Sequence, residues 1–100
     1  MKPVLLHSEA EVELRDALNY YEGLRSGLGG EFLRAFETAL LRIRENPQFY
    51  AIEADSGVRY CPMRRFPYTL VTLEQENRLW VVAVAHQKRR PHYWSDRSPG

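Results

Sequence analysis

One hundred residues, 44% of them hydrophobic and 12% aromatic, supply material for one modest core, which excludes a second folded domain and makes residues 1–100 a single unit. Charged residues at 27%, with six glycines and six prolines, are ordinary globular usage, far from disordered or collagen-like compositions. A net charge of +1 conceals a division: residues 1–58 carry −4 and residues 59–100 carry +5, so an anionic partner suits the C-terminal half.

In chain order, Pro3 to His7 reads as a short strand. Ser8 then offers an N-cap oxygen, with Glu11 three positions on to complete a capping box, so a helix is expected to start there. Ala10, Leu14, Ala17, Leu18, Tyr21 and Leu24 recur at three- and four-residue steps and form its apolar stripe. Three glycines between Arg25 and Gly30 break the pattern and reverse the chain. A second helix follows, with Phe32, Ala35, Phe36, Ala39, Leu40 and Ile43 in its stripe, and Asn46-Pro47 ends it. Val12 and Leu41 fall opposite these stripes and are expected to face away from the sheet.

Beyond Gly57 the periodicity changes to that of strands, with Val58 to Arg65, Tyr68 to Glu74 and Leu79 to His86 forming a meander. Pro62 cannot donate to a ladder, which places the first of the three at a sheet edge. Leu79 to Ala85 is apolar on both pleat faces, as in a central strand covered on each side, and strict alternation puts Trp80, Val82, Val84 and His86 on one face. The fold class is therefore α+β: an N-terminal strand and an antiparallel two-helix hairpin packed on a small, largely antiparallel sheet. That apolar run is far shorter than the ~20 residues of a membrane-crossing helix. The N-terminus has no secretory apolar region, so a cytoplasmic location is expected. The lone Cys61 has no internal disulfide partner, and no Cys/His spacing of a metal site is present, so neither metal nor other cofactor is expected.

The positive charge gathers in two knots, Arg59/Arg64/Arg65 and Lys88/Arg89/Arg90, the second flanked by His86, His92, Tyr93 and Trp94. RNA cleavage through the substrate's own 2′-hydroxyl needs a proton acceptor, a cation on the phosphate oxygens and a donor to the leaving oxygen. His86, Arg65 and Tyr93 have the right chemistry for that set. Aromatic residues among Lys and Arg also suit a nucleic-acid surface without chemistry.

Taken together, Ala17-Leu-Asn-Tyr-Tyr-Glu22, Gly27-Leu-Gly-Gly-Glu-Phe32, Asn46-Pro47, Val58-Arg59, Arg64-Arg-Phe-Pro-Tyr68 and Val84-Ala-His-Gln-Lys-Arg-Arg-Pro-His-Tyr-Trp94 resemble the RelE/ParE superfamily, the plasmid-stabilisation type of bacterial type II toxin–antitoxin toxins. The resemblance covers nearly the whole chain and implies the same α+β fold. It implies a growth-inhibiting toxin neutralised by a cognate antitoxin, with two activities in the superfamily: poisoning of DNA gyrase in the ParE-like branch, or ribosome-dependent cleavage of mRNA by a metal-independent endoribonuclease in the RelE-like branch. Tyr-Tyr-Glu and Gly-Leu-Gly look ParE-like, and where a cleaving member carries an arginine soon after the last strand this chain has Gln87. The expectation is thus a ParE-like toxin. The alternatives are an mRNA interferase using His86, Arg65 and Tyr93, and a nucleic-acid-binding module without catalysis. Target-binding residues are expected at Arg59, Arg64, Lys88, Arg89, Arg90 and Trp94, and antitoxin contacts at Val12 and Leu41. The two cation knots are expected side by side on one β-surface.

Overall fold

The computed structural model describes residues 2–97. Seven elements follow in order: β1 (Val4–Leu6), α1 (Ser8–Leu24), α2 (Leu28–Glu45), a single 3-10 turn (Pro47–Phe49), β2 (Arg59–Pro62), β3 (Tyr68–Glu74) and β4 (Leu79–His86). The strands form one mixed sheet ordered β1-β4-β3-β2, in which β1 runs parallel to β4 and the rest is an antiparallel meander. The α+β architecture expected from the sequence is present. Among the described residues no helix is long and apolar enough to cross a membrane.

Helix α1 begins at Ser8, but the cap is His7, whose Nδ1 accepts the Glu9 amide at 3.1 Å while its carbonyl accepts the Glu11 amide. The imidazole therefore takes the place assigned to Ser8, and Glu11 closes no capping box. Only Arg25, Ser26 and Gly27 link the helices, so the reversal is tighter than expected and Gly29 and Gly30 already belong to α2. Gly27 makes the turn at φ 90°, a left-handed backbone that a side chain disfavours. The Glu22 carboxylate accepts the Gly27 and Gly29 amides at 3.0–3.1 Å and so satisfies donors that α2's first turn leaves open.

Between the hairpin and one sheet face, Ala10, Ala17, Phe32, Phe36, Ala39 and Ile43 pack on Cys61, Leu70, Leu79, Val81 and Val84. Leu24, expected in the α1 stripe, is the last residue of the helix and is 61% exposed. Val12 and Leu41 face outward at 42% and 47% exposure. The opposite sheet face carries a smaller cluster, Val58, Val71, Val82 and Ala83, closed by the indole of Trp94. The chain's own tail thus supplies the second cover that the two-sided β4 requires. At the β2 edge Pro62 lacks an amide, and its carbonyl accepts Arg42 Nη2 at 3.0 Å, which blunts that edge.

Strict alternation fails in β4. Val71 pairs with Ala83 and Thr72 with Val81, so Val82 is an extra residue in a β-bulge. Leu79, Val81 and Val84 face the helices, whereas Val82 and Ala83 face the tail. Val84 and His86 share a face as expected. Trp80 and Val82 do not join them.

Candidate functional site

The last rung between β3 and β4 pairs Tyr68 with His86, and the Gln87 amide then donates to the Pro67 carbonyl at 2.9 Å. That bond sets the β2–β3 turn, which carries Arg64 and Arg65, beside the turn that follows β4. The second turn is itself fixed: His86 accepts the Arg89 amide on its carbonyl and the Lys88 amide on Nδ1, both at 3.0 Å. Arg64, Arg65, Lys88, Arg89 and Arg90 therefore gather at one end of the sheet.

Arg59 does not join them. Its partner on β3 is Thr72, four residues from the Tyr68 that faces His86, which at about 3.3 Å per residue is roughly 13 Å along the strand. There Arg59 donates to Glu74 at 2.8 Å and to the Tyr50 carbonyl at 2.9 Å, and Lys2 reaches the same carboxylate at 3.2 Å. These donors hold the Glu74 carboxyl below its ordinary value, the Arg59 hydrogen bond contributing most. The expected target contact is part of the frame.

Arg65 is turned the other way by its backbone. At φ 75° it sends its guanidinium over the Phe66 ring and onto Glu31 of α2 at 2.6 Å. That bond is the main reason the Glu31 carboxyl is held low. His86 lies on the same helix face with its ring edge-on to Tyr68, 5.0 Å between centroids. Tyr93 belongs instead to the tail-side cluster, and its hydroxyl donates to Glu13 at 2.7 Å. Burial first, then the hydrogen bond to Glu13 and its charge, push the Tyr93 phenol well above its ordinary value. The three groups expected to cleave RNA are thus each tied to a different internal partner. Trp94, expected at the target, is buried against the sheet.

Glu13 is the residue that sequence reasoning missed. Strand β1 stops at Leu6, and beyond the last rung, His7 amide to Val81 carbonyl, β4 has no strand on that side. Glu13 accepts the Val84 amide at 3.0 Å, Arg97 donates to the Val82 carbonyl at 3.1 Å, and the two side chains join through a bidentate pair at 2.9 Å. Side chains thereby replace the missing strand and fasten the tail to α1. The signal was present: Glu13 lies three residues after Ala10 and four before Ala17, both buried, so it had to share their face.

A second carboxylate pins the tail from the other side. Glu53 accepts Ser56 Oγ at 2.6 Å, Tyr60 Oη at 3.0 Å and faces His92 Nε2 at 3.1 Å, while His92 itself adopts φ 60°. These bonds lower the Glu53 carboxyl, Ser56 most of all, and burial with Glu53 raises Tyr60 to about 12. Beside this pair lies a cleft of about 460 Å³ that carries Glu53, Asp55 and Arg97. Around the basic end lies another of about 370 Å³ between Tyr60, Thr69, Gln87, Arg90, Tyr93 and Trp94. Among the described residues no group of three or more His, Cys, Asp or Glu side chains is placed to hold a metal ion.

The sequence profile of a family described as "ParE toxin of type II toxin-antitoxin system, parDE" matches residues 4–91. In fold, the chain is similar to a solved protein from "Chromosomal ParDE TA system from P. aeruginosa", with a TM-score of 0.63 at 14% identity, covering 86% of this chain and 96% of that one. No curated protein matches the chain in sequence.

Proposed function

The chain belongs to the ParE toxin family of type II toxin–antitoxin systems, and from that membership we propose that it arrests growth by binding and poisoning DNA gyrase, not by cutting RNA. One observation carries the choice: the would-be acid, base and cation of a ribonuclease are already spent. Tyr93 donates to Glu13, Arg65 pairs with Glu31, and His86 Nδ1 accepts the Lys88 amide. A phenol that is buried and hydrogen-bonded to a carboxylate holds its proton more tightly, the wrong direction for proton transfer near neutral pH. Gyrase acts in the bacterial cytoplasm, and that is where we place the toxin.

The purified chain, added to gyrase with supercoiled plasmid, is expected to inhibit supercoiling and accumulate cleaved DNA. Codon-positioned cuts in mRNA on ribosomes, with gyrase untouched, would replace this reading with the interferase one. Neutralisation falls to an antitoxin segment lying over the outer faces of the helical hairpin, where Val12 and Leu41 leave apolar surface open. Val12→Glu with Leu41→Glu is expected to leave growth arrest intact and to weaken rescue by the co-expressed antitoxin at least ~10-fold in inducer titration. Unimpaired rescue places the antitoxin elsewhere.

A further inference from the structure

Phe49 is 76% exposed, the most exposed large apolar side chain among the described residues, and Ile52 in the same loop is 56% exposed. The loop that carries them is ordered. The Phe49 amide donates to the Asn46 carbonyl, the Tyr50 amide to the Pro47 carbonyl, and the Glu53 amide to the Val58 carbonyl at 2.8 Å, and these bonds keep Phe49 out of the chain's own core. Residues 45–57 contain Glu45, Glu53 and Asp55 and no Lys or Arg, so the nearest charged residue on either side of Phe49 is acidic. The arginines of the last α2 turn are directed elsewhere, Arg42 to the Pro62 carbonyl and Arg44 to the Lys2 carbonyl. An apolar tip with acidic flanks is thereby presented to solvent.

Its complement is on the same molecule. In the cleft of about 370 Å³ at the basic end, Thr69, Val71 and Ala85 form the floor, Pro62 of β2 and Pro91 of the tail flank it, Arg90 stands at the rim, and no lining residue is acidic. Most of the surface it offers is carbon. Among the described residues neither Glu45 nor Arg90 forms an ion pair.

We propose that a second copy of this chain fills the cleft with Phe49, each member of a two-fold dimer giving its loop and receiving the other's, with Glu45 set beside Arg90 of the partner subunit. Two features select a second copy. An apolar tip with acidic flanks and an apolar cleft with a basic rim are matched within one sequence, so every molecule carries both halves of the contact. Both halves also border β2, the loop through the Ile52 bridge to Arg59 and the cleft through Pro62, so the exchange is reciprocated and closes as a dimer instead of running on as a filament. Strand β2 is the sheet edge, but that bridge lies along it and Pro62 has no amide to give, so the copies meet through side chains and not through an added strand.

Sedimentation equilibrium of the full chain is the test, and it is independent of the gyrase reading. The wild type is expected to show a monomer–dimer equilibrium with a Kd of ~10–100 µM, in keeping with a small interface. Phe49→Ser is expected to weaken the dimer at least ~10-fold, whereas Leu24→Ser, at a comparably exposed apolar residue on the end of α1, leaves it unchanged. Glu45→Lys alone and Arg90→Glu alone are each expected to weaken it at least ~5-fold by setting like charges together. Mixed in equal amounts, these two variants are expected to regain wild-type affinity, because each mixed dimer contains one native pair and one fully reversed pair. All four substitutions fall at exposed positions, so none removes a core contact. A wild type that stays monomeric over this range, a dimer that Phe49→Ser leaves intact or that Leu24→Ser weakens equally, or a mixture no tighter than its components overturns the proposal.

Discussion

A single carboxylate, Glu13, accepts from a backbone amide, a phenol and both arms of a guanidinium, and these bonds close the β4 edge and hold the tail. The pair is largely buried, Arg97 at 7% and Glu13 at 15% side-chain exposure, so removing one partner strands the other away from water. Arg97→Ala is expected to cost about 3 kcal/mol in urea denaturation, whereas Arg97→Met with Glu13→Leu, which leaves no orphaned charge, should recover much of that loss. If the single and double variants are equally unstable, the pair is not the fastener. Tyrosine ionisation offers a second check on these contacts. Tyr60 is raised to about 12 and Tyr93 is also raised, so each adds stability that is present below the unfolded value near 10 and is lost as pH rises through the folded one. Absorbance titration is expected to show Tyr60 ionising near 12, and Glu13→Gln to lower the Tyr93 midpoint by removing the carboxylate charge that adds to burial and the hydrogen bond.

The helical hairpin depends on close approach at its turn. A Cβ on Gly29 would stand 2.8 Å from the Leu18 carbonyl and 3.0 Å from the Glu22 Cβ, and neither helix backbone yields cheaply. Gly29→Ala is therefore expected to cost about 1–3 kcal/mol, whereas Gly23→Ala, with nothing within 4 Å of the new methyl, should add about 0.5–1 kcal/mol by its better helix propensity. Thermal melts that rank the two the other way would refute this account of the turn. The same elements mark what the sequence made legible. Helical spacing located both stripes, Pro62 put β2 at the edge, and the two-sided apolar run put β4 in the centre, because each of these signals is local. The Val82 bulge was invisible, since nothing in a run of Val and Ala says where one residue is extra. His7 took the cap from Ser8 because an imidazole nitrogen serves as acceptor equally well there. At the candidate site, the gathering of Arg64 with Lys88 to Arg90 was readable from the charge knots. The diversion of Arg59, Arg65 and Tyr93 was not, since it depends on partners 15, 34 and 80 residues away.

Across the whole molecule, the division between an acidic N-terminal half and a basic C-terminal half resolves into pairs that cross it. Glu13 and Glu9 hold Arg97, Glu31 holds Arg65, and Glu53 faces His92, so the first half neutralises selected cations of the second. Of those without an ion pair among the described residues, Arg64, Lys88, Arg89 and Arg90 lie at one end and only Arg78 at the other, which concentrates a field that the net charge of +1 hides. The arrangement also sets the acid limit of the fold. Glu31, Glu53 and Glu74 all have carboxyls below the ordinary 4.5, so their contribution is fully present above that value and is lost as pH falls through the lowered folded ones. The urea midpoint is expected to hold level from pH 7 to about 5 and to fall steadily below 4.5, less steeply in Glu74→Gln, which has no proton left to take up at that position. Because the cations facing Glu31 and Glu53 are more than half exposed, 0.5 M salt should weaken their part of the decline more than that of Glu74, whose partner Arg59 is only 16% exposed. A midpoint that stays level to pH 3 would mean that these crossing pairs do not hold the two halves together.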